Sequence, residues 1–191
     1  MPGESRTRMI EGASRLLATK GLQETSFSEV LKLTGAPRGS IYHHFPDGKG
    51  QLVAAAIDHA GRVATELIER SAGQPAFVVA SRFLEAWRQV LLRSDFHAGC
   101  SVLAVTVATE SPELLEHAAS VFRNWRRRLG ELLEQGGMPA DDAQGFAALL
   151  VAGAEGAVVL SRAEQSMEPF ELVSGRLLGD PAVRSDFGGQ N

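Results

Sequence analysis

The 26 residues from Thr25 to Gly50 constrain this chain of 191 residues more than any other stretch. Ser26, with Glu29 three positions on, is the capping-box pattern that starts a helix. Phe27, Val30, Leu31 and Leu33 give that helix an inward face. Gly35 stops it, because glycine accepts the left-handed conformation beyond a helix end at no steric cost. Pro37 presets the backbone angle for the next helix, where its missing N–H does no harm. In that second helix Ile41 and Phe45 sit four apart and face inward, leaving Arg38, Gly39, Ser40 and His43 outside. Two short helices joined by a tight turn, the second polar and aromatic, make a compact unit with one chemically rich face.

That face suits a nucleic-acid groove. Arginine can pair with guanine through two hydrogen bonds, and serine can donate or accept at a base edge or a phosphate. Gly39 lets the backbone approach a duplex closely. Tyr42 and His43 carry polar tips on rigid bodies, suited to phosphate contacts. Lys49 opens the following helix, where its charge and free N–H groups can hold a backbone phosphate. The expected DNA contacts are therefore Ser26, Arg38, Gly39, Ser40, Tyr42, His43 and Lys49. On spacing alone, a helical hairpin with a solvated polar face fits about equally well.

The core Gly35-Ala-Pro-Arg-Gly39-Ser40-Ile41-Tyr42-His43-His44-Phe45, followed by Pro46 and Lys49, closely resembles the DNA-binding signature of TetR-family transcriptional regulators. The resemblance covers roughly residues 5 to 55. Two positions depart from the pattern: Pro37 replaces the usual serine or threonine cap, and Gly50 stands where glutamate is common. The resemblance implies an all-α protein with an N-terminal three-helix, helix-turn-helix domain and a larger helical domain for effector binding and dimerisation. It also implies a homodimer on a palindromic operator, since one short helix reads few bases and two heads about one helical turn apart read a palindrome. Repression is the family habit.

Charge at first argues against DNA. The chain carries −4, with a pI near 5.7. The distribution is uneven, however: residues 1–50 hold seven Lys/Arg against five Asp/Glu, and residues 51–191 hold twelve against eighteen. A mildly basic head on an acidic body discourages nonspecific wrapping and leaves attraction at the head. The lone Cys100 allows no internal disulfide and fits a reducing cytoplasm. The opening residues are polar and lack the apolar region of a signal peptide. The longest mostly apolar run, Phe146 to Leu160, is too short to span a bilayer and contains Glu155. Cytoplasmic residence without membrane contact is the expectation.

Helical patterning continues along the chain. A first helix is expected over residues 5–20, closed by Gly21, and a long one over residues 48–71, broken by Ser71-Ala-Gly-Gln-Pro75. Further helices are expected near residues 76–93 and 102–109. The second of these is valine-rich, but a lone strand would have no partner. Pro112 starts another helix, which ends at Gly136-Gly137. Asp141 is expected to cap the next, running to about Gln165, and a last one begins near Pro169. The division is thus residues 1–47 as the head, 48–178 as the second domain, and a disordered tail over 179–191. The helix over residues 141–165 is apolar nearly all round and should be buried on several sides. Ala148, Ala152 and Gly156 form a flat stripe on it, for a dimer partner or for the domain's own core.

The segments Phe96-His-Ala-Gly-Cys100-Ser, Trp125 and Leu150 to Ala163 resemble the LmrA/YxaF-like branch of TetR regulators, over roughly residues 76 to 175. This resemblance implies a small, apolar or aromatic inducer. Phe83, Trp87, Leu91, Phe96, Cys100, Phe122 and Trp125 are the candidate pocket; Glu155, lodged in an apolar run, either pairs locally with an arginine or gives polarity to that pocket or to the dimer seam. For any one of the apolar residues, plain core is about twice as common a role. The five histidines lack metal-ligand spacing, Gly48-Lys49-Gly50 lacks the rest of a phosphate loop, and His97 near Cys100 lacks an orienting third group. No cofactor, no metal and no enzymatic activity are expected. A helical protein-interaction module is the alternative function, and a small helical enzyme a more distant one.

Overall fold

A computed structural model describes residues 2–180, and among them finds helices and no strands. The helices are α1 (Pro2–Glu24), α2 (Phe27–Thr34), α3 (Arg38–His44), α4 (Lys49–Glu69), α5 (Ala76–Arg93), α6 (Ser101–Thr106), α7 (Pro112–Gln135), α8 (Ala140–Glu164) and α9 (Glu168–Leu178). The valine-rich element expected over residues 102–109 is helical over Ser101–Thr106, as the lack of a partner strand implied. Of the expected disordered tail, residues 181–191 lie outside the described residues, and Gly179 caps α9.

The described residues form two compact units, one of residues 2–63 and 100–122, the other of residues 64–99 and 123–180. Helices α4 and α7 contribute to both. In the first unit α1 packs against α2, α3 and α6. Its core is Met9, Ala13, Leu17, Val30, Ile41, Phe45, Leu52, Val53, Ala56 and Ile57, none more than 1% exposed. Close approach of α1 and α2 requires Gly12, where an added Cβ would lie 2.5 Å from Thr34 Cγ2. In the second unit α5 packs on α8 and α9, and α8 packs on α9.

Several local expectations need correction. The Ser26 hydroxyl caps α2 by accepting from Glu29 N at 3.3 Å, but Glu29 does not complete a reciprocal box. Its carboxylate takes the Lys20 ammonium at 3.1 Å instead, since a charged donor outcompetes a neutral amide. Leu33 is 45% exposed and leaves the inward face to Val30, with Phe27 and Leu31 half-buried. Pro139, not Asp141, occupies the cap of α8; Asp141 and Asp142 lie in its first turn, where negative charge meets the positive helix end.

Helix α8 also departs from burial on several sides. Phe146, Leu150, Ala154, Ala157 and Val158 are buried, whereas Leu149, Val159 and Leu160 are 57%, 49% and 49% exposed. By length and composition alone α8 could cross a membrane, more than the run Phe146–Leu160 suggested, but half of its apolar window is buried inside the protein.

Candidate DNA interface and effector site

A seven-residue helix has no stability of its own, because nucleation costs more than so few hydrogen bonds return. Helix α3 is held by Ile41 and Phe45, both fully buried. Gly35 ends α2 in the left-handed conformation (φ 65°), its N–H bonded to Leu31 O, and Pro37 turns the chain into α3 at φ −62°. Successive steps of about 100° then place Arg38, Tyr42, Gly39 and His43 within an arc of roughly 140°. All four are exposed, and Ser40 at the edge of the arc is half-buried.

The aromatic members of this face are held in place. Tyr42, 67% exposed, meets the Phe27 ring edge-to-face at 5.5 Å and 79°, which holds the phenol ring against α2. The His43 and His44 rings lie 5.3 Å apart. Ser40 Oγ is 3.3 Å from Ser5 Oγ on α1. Lys49, the first residue of α4, donates from Nζ to Leu22 O at 2.7 Å, and partial burial lowers its pKa from the ordinary lysine value. Two further N–H donors of that ammonium remain beyond this bond. Lys49 and Ser26 thus both adjoin the corner between α1 and α2, where Thr25 Oγ1 donates to Gly21 O at 2.8 Å. The residues expected to face DNA therefore gather around one helix and one corner of the first unit. An open groove of about 410 Å³ lies on α1 and α2, lined by Arg15, Leu16, Thr19, Lys20, Glu29, Lys32 and Leu33.

The expected effector residues are divided between the units. Phe83, Trp87, Leu91, Phe96, Trp125 and Glu155 belong to the second, Cys100 and Phe122 to the first. Leu91, Trp125, Glu155 and Phe83 are buried; Trp87 and Phe96 are half-buried. Cys100 is buried and caps α6, its sulfur accepting from Leu103 N at 3.3 Å. The turn after α5 is unusual: Asp95 and Phe96 both have positive φ, 49° and 59°. Such angles are costly for side chains with a Cβ and persist only when neighbours fix them. Phe96 N bonds Leu91 O at 2.9 Å, Ala98 N bonds Ser94 Oγ at 3.0 Å, and Arg162 on α8 donates to His97 O at 3.2 Å. Sequence reading picked out Phe96 but missed this arginine clamp, although Arg162 stood in the quoted α8 motif.

The two parts of the chain match two family models. Residues 9–56 match bacterial regulatory proteins of the tetR family, and residues 76–176 match the C-terminal domain of LmrA/YxaF-like transcriptional regulators. An uncharacterized HTH-type transcriptional regulator of Mycobacterium tuberculosis is 34% identical over 179 residues, covering 90% of this chain and 91% of that protein. The chain belongs to the TetR family. Within it, LmrA of Bacillus subtilis, an HTH-type transcriptional regulator, is 27% identical over 90% of this chain and 94% of its own. A TetR regulatory protein from Rhodobacter sphaeroides shares the fold, with a TM-score of 0.82 at 21% identity over 91% of this chain and 97% of its own. This TetR-family protein is a DNA-binding transcriptional regulator with an LmrA/YxaF-like C-terminal domain, and not an enzyme.

Proposed function

We propose that this regulator acts in the cytoplasm as a homodimeric repressor, binds a palindromic operator through Ser26, Arg38, Gly39, Ser40, Tyr42, His43 and Lys49, and is released by a small apolar or aromatic molecule. The observation that carries the dimer is the outer face of α8. Leu149, Ala152, Gly156, Val159 and Leu160 are exposed there at spacings of three and four, the period of a helix-packing seam. Among the described residues, a Cβ at Gly156 would meet nothing within 4 Å. Ala148 is half-buried at its edge. A second copy across a twofold axis would cover it, and would set two recognition helices at a fixed separation.

For the effector we propose a site in the second unit, drawing on Phe83, Trp87, Phe96 and Trp125, with Glu155 as its polar group. Four aromatic side chains with one buried carboxyl group match the usual composition of small-ligand sites. The proposed relay is α4, an uninterrupted helix that starts at Lys49 and ends at Glu69, which Arg128 grips through two hydrogen bonds. Filling the site would shift α4 and change the spacing of the two heads. The test is sedimentation of the chain at micromolar concentration, together with selection from random-sequence DNA. A dimer that enriches an inverted repeat supports the reading; a monomer, or a non-palindromic consensus, overturns it.

A further inference from the structure

The start of α1 lies against the recognition helix, a placement that no motif in the sequence announced. Ser5 Oγ is 3.3 Å from Ser40 Oγ, joining the first turns of α1 to the exposed face of α3. One residue on, the Arg6 guanidinium lies over the Phe45 ring, 5.4 Å from its centroid. Phe45 is fully buried and immediately follows α3, so it is among the best-fixed groups in the unit. Arg6 itself is exposed, and exposed Arg8 follows two residues on.

We infer that Arg6 is a further DNA-contacting residue, one that grips a backbone phosphate beside the groove read by α3. The physical reason is the shape of the guanidinium. A planar cation resting on an aromatic ring is held through its face, while its N–H donors point outward in its plane, the geometry that a phosphate accepts. A flexible surface arginine would lose rotamer freedom on binding; one resting on Phe45 has already lost part of it. The Ser5–Ser40 contact keeps this cation in register with Arg38 and Tyr42. A phosphate contact carries no base information, so Arg6 would fix how α3 enters the groove, not which bases it prefers.

The inference rests on α3 being the helix that faces DNA, and the test separates the two ideas. The probes are a duplex selected by the wild-type chain from random-sequence DNA and an unselected duplex of equal length. Wild type, Arg6→Gln, Arg6→Lys and Arg38→Ala are titrated against both across a salt series. Arg6→Gln is expected to weaken both complexes alike and to flatten the plot of log affinity against log salt by about one unit per head. Arg6→Lys should retain the wild-type slope, because the charge survives. If Arg6→Gln keeps the wild-type slope, or only lowers the melting temperature without changing it, Arg6 merely packs on Phe45 and the inference falls. If Arg38→Ala leaves the selected duplex still preferred by the full wild-type margin, the placement of α3 itself is wrong and the inference falls with it.

Discussion

Arg38 and Lys49 are both exposed cations at helix starts, and the proposed docking gives them different work. Arg38 begins the exposed arc of α3, so its fork can reach a base edge. Arg38→Ala is expected to cost about 1–3 kcal/mol of operator binding and to relax preference at one base position, measured by competition among single-base variants of the selected site. Lys49 is anchored through Leu22 O, which leaves it a point charge at the α1–α2 corner. Lys49→Ala should weaken all sequences evenly and reduce the salt slope by about one unit. Unchanged affinity in both variants at moderate salt would exclude this docking. The build of α2 and α3 was legible in the sequence, because Gly35, Pro37, Ile41 and Phe45 act through backbone angles and helix period, which are local properties. Partners chosen across the fold were not legible. Nothing in the spacing says that Glu29 prefers Lys20 to its own cap, or that Ser5 meets Ser40.

At the scale of the element, α8 illustrates the same limit. Its apolar composition announces a buried helix, but composition does not say whether the covering surface comes from the same chain. The exposed side chains Leu149, Val159 and Leu160 mark the face that the described residues leave uncovered. Gly156→Leu tests what covers it. Among the described residues a Cβ there meets nothing within 4 Å, so the variant should fold and keep its helicity, while a close contact between copies would suffer overpacking of about 1–3 kcal/mol per site. Sedimentation equilibrium should then report a weaker dimer, and an unchanged association constant would remove α8 from the interface. The end of α4 offers a second test. Arg128 bonds Glu69 and, at 2.8 Å, Glu131, and both carboxyl groups are held below their ordinary value of 4.5, chiefly by these hydrogen bonds. Depressed carboxylate pKa values stabilise the fold above 4.5, and that gain is lost as the pH falls through the lower folded-state values. Glu69 is 42% exposed, so the cluster contributes no more than about 1 kcal/mol. Urea melts of wild type and Arg128→Met should differ by that amount at neutral pH and converge once the pH has fallen through the lowered folded-state values; a gap that persists in stronger acid would point to lost packing instead.

For the whole molecule, the proposed switch must obey linkage. An inducer weakens DNA binding only by its preference for the DNA-incompetent arrangement, typically about 1–3 kcal/mol of coupling, or roughly 5- to 150-fold. By reciprocity, operator DNA must weaken inducer binding by the same factor. The chain supplies its own reporter, because its two tryptophans, Trp87 and Trp125, both lie in the second unit and none lies in the head. Trp125 is 2% exposed and Trp87 half-buried, so a flat ligand between their helices should quench or shift the emission of both. Titration of planar aromatic compounds with and without the selected duplex should identify an effector as one whose affinity falls when DNA is bound. Trp87→Phe should remove part of the signal while leaving that thermodynamic coupling in DNA-binding assays. A compound that quenches tryptophan yet binds equally well in both conditions is bound but cannot be the inducer, since equal affinity for two states shifts nothing. A panel from which no compound binds would reduce Phe83, Trp87, Phe96 and Trp125 to ordinary core, and would leave the DNA-binding head without this route of release.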